Sequence, residues 1–586
     1  MKRVNIYTFL FCTIFFAIEC YAQQASYPKS KILQKNFSSN LKEQLRELEK
    51  DPFVQYLNEC REKWKDNPYR PIYHFSSPES ILHDPNGLCY WQGNWHLFYQ
   101  YLPSKDFRQH WGHAVSHDLI HWKDLPIALY PGPENMCYSG ATLAEKDKVI
   151  AMYYGVDLGD IVATSSDPLL LNWEKIATPA IPRVKSGETL PYYVFDPAIW
   201  KEDSIYYAVT GGRTNTGPGH KAMRSTSLFS SKDLKNWKYE HDFMKNERFL
   251  PPGEDASCPY FWPIGNRHIF LFFSHTTGSQ YLLGDYNKEE HCFYPTFHGR
   301  FNFMSFLPGG VHAPSATSDG KGGVIVIHNM HTGKKTPGWR GITTLPRRLT
   351  LDKCDTINIQ PYGDYESLRT HHQHIDKLNL PANEEIIIDN IKGNALEIKA
   401  EININSSPMI EMNVLRSPDK EEFTSIKFFK DRGVDLVRTN PAMKNQRWSL
   451  ISLETAHSSI LPDVISRAPE LAPVYLKPDE TLKLHIFIDK SIVEVFVNDK
   501  QVVTARVYPG KKESTGISLK SQGTDATLIS MNVWQMKSAP AEPEHEEELM
   551  SLGRIVLRLV VGATLIALGA NLLVDNGTII AQALGV

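Results

Sequence analysis

No two cysteines stand in C-x-x-C spacing anywhere in the chain, and that absence argues against a zinc site. A surplus of one charge sign is missing too. The 63 Lys and Arg nearly balance the 66 Asp and Glu, for a net charge of −3 and no long basic block. A nucleic-acid partner is thereby excluded. The glycines at 211–212 and 217–219 are not followed by a Lys-Ser/Thr pair after a strand, so they form no phosphate loop. What the chain has in quantity is aromatic surface. It carries 12 Trp and 11% aromatic residues overall. That content favours a β-rich protein.

The 586 residues suggest more than one domain. Lys2 and Arg3 precede an apolar run from Ile6 to Ile18, and Cys20-Tyr21-Ala22 offers a small-residue cleavage point. This predicts a signal peptide over 1–22 and export to the periplasm, cell surface or medium. Two of the 8 cysteines fall in that segment, and the other six are scattered. An exported protein can pair some of them, but a chain this long does not need disulfides to fold. Residues 23–70 read as a helical arm, because Leu41, Leu45, Leu48, Phe53 and Leu57 fall on one helical face.

From about residue 71 the pattern changes to short strands. Ser116-His117-Asp118-Leu119-Ile120-His121-Trp122 recurs as Ser231-Lys232-Asp233-Leu234-Lys235-Asn236-Trp237, with a looser copy from Ser165 through Asp167 to Trp173. The three tryptophans are 51 and 64 residues apart. Self-similarity at that spacing in strand-rich sequence is what propeller blades produce. Each copy reads as a hairpin turn capped by its Asp, with the Trp packed between blades. A polar connection is expected over 366–380. A second β region, 381–537, contains the hairpin Leu484–Asp489 and Ile492–Val497, whose period-2 alternation predicts antiparallel sandwich strands. Residues 538–586 form an acidic linker and a hydrophobic tail. The apolar stretch Leu559 to Leu573 is near the lower limit for a membrane span, so membrane contact is expected only if this tail inserts.

One stretch concentrates chemistry. His83-Asp84-Pro85-Asn86-Gly87-Leu88 sets a carboxylate beside a Pro, with Tyr90, Trp91, Trp95, Phe98, Tyr99 and Tyr101 following. Carboxylates cleave glycosidic bonds, and aromatic rings bury the apolar faces of sugars. Alone, Asp-Pro and Asn-Gly equally describe a β-turn. His110, His113, His117 and His121 invite a metal reading, but that spacing on strands and turns does not converge. His371, His372 and His374 read as solvated connection residues.

Taken in order, several motifs resemble glycoside hydrolase family 32, the invertase, inulinase and levanase family. They are His83–Leu88, Trp95–Tyr101, Trp111–Ser116, Leu125–Leu129, Tyr138-Ser139-Gly140-Ala141, Phe195-Asp196-Pro197 and Leu345–Leu349. The hairpin 486–497 with Arg506–Pro509 resembles the family's C-terminal sandwich. The resemblance implies an all-β fold, a five-bladed β-propeller over 71–365 followed by a β-sandwich. It implies retaining hydrolysis of terminal β-fructofuranosyl bonds in sucrose, fructan or a related furanoside, with no metal and no cofactor. Asp84 takes the nucleophile's place and Asp196 the transition-state stabiliser's. His83, Asn86, Gln100, Trp111, Ser139, Phe195 and Ser257 fall on substrate-binding positions. Residues 569–586 resemble part of a sodium/calcium exchanger repeat, read as a fused or truncated fragment.

The family's acid/base is the Glu of E-C-P-D, and here the matching residues are Ser257-Cys258-Pro259-Tyr260. A Ser hydroxyl is far too weak an acid to serve. Glu254 and Asp255 lie just upstream, and either restores acid catalysis if a loop shift brings it in. Glu254 is preferred for its longer reach. Phe195 replaces an Arg that contacts fructose, and His83 replaces an Asn, which leaves another ketose or furanose, or a modified fructan, open as the sugar. Two readings remain: an exported hydrolase, or a carbohydrate-binding protein on a disabled hydrolase scaffold. Transglycosylation on the same chemistry is a third.

Overall fold

The computed structural model describes residues 27–539, apart from 185–189, 215–216, 222, 247–248, 250–252, 305, 432–448 and 478. The predicted signal peptide and nearly all of the acidic linker and hydrophobic tail, including the exchanger-like stretch, lie outside the described residues. Among the described residues no helix is long and apolar enough to cross a membrane, and none of the six cysteines is in a disulfide.

The helical arm is two helices rather than one. α1 (Leu41–Glu49) is capped by Asn40, whose side chain accepts from Glu43 N–H. α2 (Pro52–Trp64) starts afresh because Asp51 caps Phe53 and Val54 N–H and Pro52 stands in its first turn. The arm is stitched to the strands that follow by polar side chains. Gln44 Nε2 donates to Asp167 Oδ1 at 2.6 Å, and Arg61 pairs with buried Asp124.

Five antiparallel sheets follow in chain order. Blade 1 is Ser80–Trp91, Asn94–Leu102, His110–Ser116 and Lys123–Leu129, with Trp339–Arg340 added in parallel. Blade 2 begins with Cys137–Ala144, blade 3 with Pro197–Glu202, blade 4 with Ser257–Ile264 and blade 5 with Val311–Ser318. These inner strands touch one another in sequence, and the inner strand of blade 5 touches that of blade 1. The ring therefore closes, which is the β-propeller expected.

The repeated heptad lies at the same place in blades 1, 2 and 3, between the third and fourth strands. Asp118 Oδ1 accepts from Ile120 and His121 N–H at 2.9 Å, and Trp122 Nε1 donates to Leu119 O. Asp167 and Asp233 do the same for their own turns, closed by Trp173 and Trp237. Leu119, Leu170 and Leu234 all adopt positive φ. In blade 4, Asn287 caps Glu289 and Glu290 without the Trp, so the motif fades there while the turn persists.

The second domain is two packed sheets. One runs Arg369–Ile375, Ala526–Met536, Ala395–Asn403, Leu482–Asp489, Ile492–Val497 and Gln501–Arg506; the other runs Glu385–Ile387, Gly516–Gln522, Met409–Arg416, Thr424–Phe429, Ser449–Glu454 and Glu470–Val474. Leu396, Ile398, Met412, Val414, Leu453, Ile486, Val495 and Val533 fill the space between them. The expected linker 366–380 is instead largely strand. Arg369–Ile375 and Leu378–Leu380 pair with Ala526–Met536 at the sheet edge. Its polarity, including His371, His372 and His374, reflects an edge strand with one face in water.

Candidate active site

The inner strands of blades 1, 2, 4 and 5 break register early, at Leu82/Pro85, Cys137/Gly140, Ser257/Tyr260 and Val311/Pro314. In blade 3 the inner strand starts at Pro197, directly after Asp196. The triplets His83-Asp84-Pro85, Tyr138-Ser139-Gly140, Phe195-Asp196-Pro197, Ser257-Cys258-Pro259 and His312-Ala313-Pro314 thus occupy equivalent places in the five blades. A bulge re-aims a side chain out of the regular alternation. Five bulged or newly started strands direct polar groups into one cluster. The hairpin-turn reading of Asp84–Gly87 is replaced by this bulged strand, in which Pro85 pairs with Tyr99 and Asn86 with Phe98. Gly87 is required there. Its φ is +52°, and a Cβ would meet Thr142 Cγ2 at 2.6 Å.

Asp84 receives donors from two other strands and an imidazole nitrogen from a third. Ser139 Oγ donates to its Oδ2 at 2.9 Å, His312 Nδ1 lies 2.9 Å from its Oδ1, and Asn329 Nδ2 is 3.4 Å from Oδ1. Burial would push this carboxyl upward, but His312, then His83 and Ser139, outweigh it and hold Asp84 well below the usual carboxylate range. It is ionised throughout the physiological range.

Asp196 is the opposite case. It is buried, and its pKa is raised to about 7, first by desolvation and then by the negative Asp84, against the pull of Cys258 N–H. That N–H donates to Asp196 Oδ2 at 3.0 Å. The Cys258 thiol lies 3.5 Å from the same oxygen and 3.6 Å from Asp84 Oδ2, so one sulfur spans both carboxyl groups. Cys258 sits at φ 50°, a left-handed conformation costing about 1–2 kcal/mol for a residue with a Cβ. The strain turns its N–H onto Asp196. Two neighbouring carboxyls are thus driven apart in pKa, as groups given different tasks are.

Ser257 is buried beside them. Its Oγ lies 3.2 Å from Asp255 Oδ2 and 3.4 Å from His275 Nδ1. Asp255 is bound to His275 twice, Oδ1 to its backbone N–H at 2.9 Å and Oδ2 to Nδ1 at 2.8 Å. Burial would raise Asp255, but the His275 bond outweighs it and lowers the carboxyl below its ordinary value. Glu254 turns elsewhere. It is fully buried and accepts from Thr277 Oγ1 at 2.6 Å, with Gln280 Nε2 at 3.4 Å. Glu254 as the preferred displaced acid is therefore corrected: a sealed carboxylate offers no face to a leaving oxygen.

Two family descriptions match the chain in tandem. The N-terminal domain of glycosyl hydrolases family 32 matches residues 74–361, and that family's C-terminal domain matches 364–535. The chain belongs to glycosyl hydrolase family 32. It is 26% identical over 522 residues to a sucrose-6-phosphate hydrolase of Zymomonas mobilis, covering 80% of this chain and 92% of the relative. A levanase of Bacillus subtilis is 26% identical over 521 residues, covering 80% of this chain and 71% of the relative. Among solved structures, fructan 1-exohydrolase IIa from Cichorium intybus superposes with a TM-score of 0.70 at 22% identity, covering 81% of this chain and 98% of that one.

The remaining predicted residues of this family 32 chain divide into floor and rim. Gln100 Nε2 donates to Ser139 Oγ at 2.8 Å. Asn86, with its amide nitrogen toward Ser139 Oγ (3.3 Å) and Pro85 O (3.1 Å), accepts from Gln100 N at 3.2 Å. Both reach Asp84 through Ser139. Trp111 is fully buried and donates to Tyr138 O at 2.8 Å. Its ring is occupied by Phe98 and Tyr153, so it supports the floor instead of facing a sugar. Phe98, Tyr99 and Tyr101 likewise pack in the interior of blade 1, so these three rings of the run do not face a sugar. Phe195 is half-buried and packs tilted against Tyr154, with ring centroids 5.0 Å apart. Three of the four histidines of the 110–121 region take separate partners: His110 meets Ser30 and Arg108 O, His113 meets His96, and His121 meets Asp118. His312, Asn329, Cys258 and His275 were missed from sequence. The signal for His312 was there, because His312-Ala313-Pro314 repeats the form of His83-Asp84-Pro85.

Proposed function

We propose that the protein is an exported, retaining β-fructofuranosidase that releases fructose from sucrose, fructan or a closely related furanoside. The observation that carries this reading is Asp84: a carboxylate kept ionised by donors from blades 2 and 5, with a second carboxyl across one cysteine thiol. An ionised carboxylate at the anomeric carbon forms a glycosyl-enzyme ester, which water then hydrolyses with net retention. Asp196 holds the sugar hydroxyls as positive charge develops on the ring. The names of the relatives, a sucrose-6-phosphate hydrolase and a levanase, support a fructosyl substrate. Export rests on the character of residues 1–22.

Ser257 motivates the binding-protein alternative. Against it stands the cost of Asp84, since a pure sugar binder gains nothing from an ionised carboxylate flanked by His312 and Ser139. The test is reducing-sugar release from sucrose, inulin and levan by the wild type and by Asp84→Asn. Turnover by the wild type that Asp84→Asn loses is the expected result. Equal background rates for both on every sugar would end the hydrolase reading. The anomer first released, followed by NMR, checks retention.

A further inference from the structure

In the family pattern the leaving oxygen is protonated by a Glu at the position of Ser257. A serine ends at Oγ, where the glutamate side chain runs on through a further methylene to its carboxyl group. His275 stands next to it. The ring follows the second strand of blade 4, Arg267–Ser274, while Asp255 and Ser257 enter the inner strand beside it. Because Ser257 pairs with Phe273, Asp255 and His275 face each other across the antiparallel pair. The imidazole is exposed, and its Nδ1 is held by Asp255 Oδ2 at 2.8 Å with Ser257 Oγ at 3.4 Å. Among the described residues its Nε2 makes no hydrogen bond. The ring centroid is 6.5 Å from that of His312, which contacts Asp84.

We propose that His275, aimed by Asp255, is the general acid/base of this enzyme and replaces the missing glutamate. The inference rests on the hydrolase reading above. In the first step Asp84 forms a bond to the anomeric carbon as the bond to the leaving oxygen breaks. The proton on His275 Nε2 moves to that oxygen, and a neutral imidazole remains. In the second step a water gives its proton to Nε2 and its hydroxyl to the anomeric carbon, which frees Asp84. Proton and charge balance, and no further reactant is needed.

Asp255 plays the part that a buried carboxylate plays beside any catalytic histidine: it fixes the tautomer and steadies the imidazolium. The charged groups around the ring are Asp255, Asp84 and Asp196, with His312 and His331 beyond. Asp255 chiefly, then Asp196 and Asp84, raise His275 above the ordinary imidazole value. Burial lowers His331 to about 3, so it adds no positive charge near neutral pH. The competing proton donor is Asp196, but it is buried and its Oδ2 is already bound by Cys258 N–H.

The test compares sucrose with a nitrophenyl β-fructofuranoside, whose leaving group departs without a proton. His275→Ala and His275→Gln should lower kcat on sucrose by about 10²–10⁴-fold, remove the alkaline limb of its pH profile, and keep bond cleavage in the nitrophenyl donor within about tenfold. Asp255→Asn should move that alkaline limb to lower pH with His275 still in place. Both His275 variants retaining the sucrose rate and the alkaline limb would overturn the proposal. So would an Asp196→Asn variant that alone loses the limb. If the wild type cleaves neither donor, the hydrolase reading falls and this inference with it, whereas a failure of His275 alone leaves that reading intact. Thermal melts of both variants separate a folding defect from a chemical one, and the Gln variant keeps the volume if Ala does not fold.

Discussion

Two clusters of histidine and carboxylate in this protein are built from the same residue types and do opposite work. At the junction of propeller and sandwich, His74 lies with Nδ1 2.9 Å from Asp489 Oδ2 and Nε2 3.1 Å from Glu494 Oε1, and Arg347 Nη2 bonds Glu494 Oε2 at 2.6 Å. All of these side chains are wholly buried. Asp489 also accepts the backbone N–H groups of Ile72, Tyr73 and His74 at 2.8–2.9 Å. His74 and Arg347 meet two carboxylates whose oxygens are occupied, so the cluster ties two domains. In the propeller mouth, three carboxyls crowd together, one keeps its proton to about pH 7, and His275 opens to solvent. Solvent access and crowded like charges mark the chemical site.

Breaking each cluster should separate activity from stability. The largest effect is expected from Asp84→Asn, a loss of about 10⁴-fold or more in kcat, with the melting temperature nearly unchanged; steady-state kinetics on sucrose and a thermal melt check both halves. Glu494→Ala should do the reverse. It strands Arg347 and His74 in the interior and costs about 3–5 kcal/mol of stability, read from denaturant midpoints, while the folded fraction keeps its kcat.

The pH dependence of stability sharpens the contrast. Burial would raise Glu494, but Arg347 and His74 outweigh it and hold it at about 2, below a glutamate's ordinary 4.5. Its contribution is therefore present above pH 4.5 and lost as pH falls toward 2. Asp196 has the other sign. The native state binds its proton more tightly than the unfolded chain does, so stability is lost as pH rises from 3.8 toward 7. Asp196→Asn should melt higher than the wild type at pH values above 7 and show little of that gain at acid pH, while losing about 10²-fold or more in kcat. Melting curves across pH for the wild type, Glu494→Gln and Asp196→Asn test both signs. The smallest effect is expected for Cys258→Ala. The backbone N–H on Asp196 survives that change, so kcat should stay within about tenfold, the loss of two weak thiol contacts.

The turns that close the first three blades were readable because they are local. An Asp accepting the N–H groups two to five residues on, and a Trp donating three residues back, need no distant partner. The two helices of the arm were half-readable, since the apolar face is plain but runs on across the Asp51-Pro52 restart. The edge strand 369–375 was hidden by its own polarity. His312 and Asn329 were invisible as partners of Asp84, because blade 5 reaches blade 1 only when the ring closes.

By itself, the sequence determined an all-β, two-domain chain of family 32, with Asp84 and Asp196 at the head of blade-like repeats and a serine where the acid should stand. Those features are carried by alternation, local capping and ordered motifs, which act over a few residues. Only the tertiary structure decided that Glu254 is sealed away, that Asp84 is ionised while Asp196 keeps its proton, and that Asp255 and His275 fill the space beside Ser257. Charge states depend on burial and on neighbours several ångströms away. In a closed propeller those neighbours come from other blades.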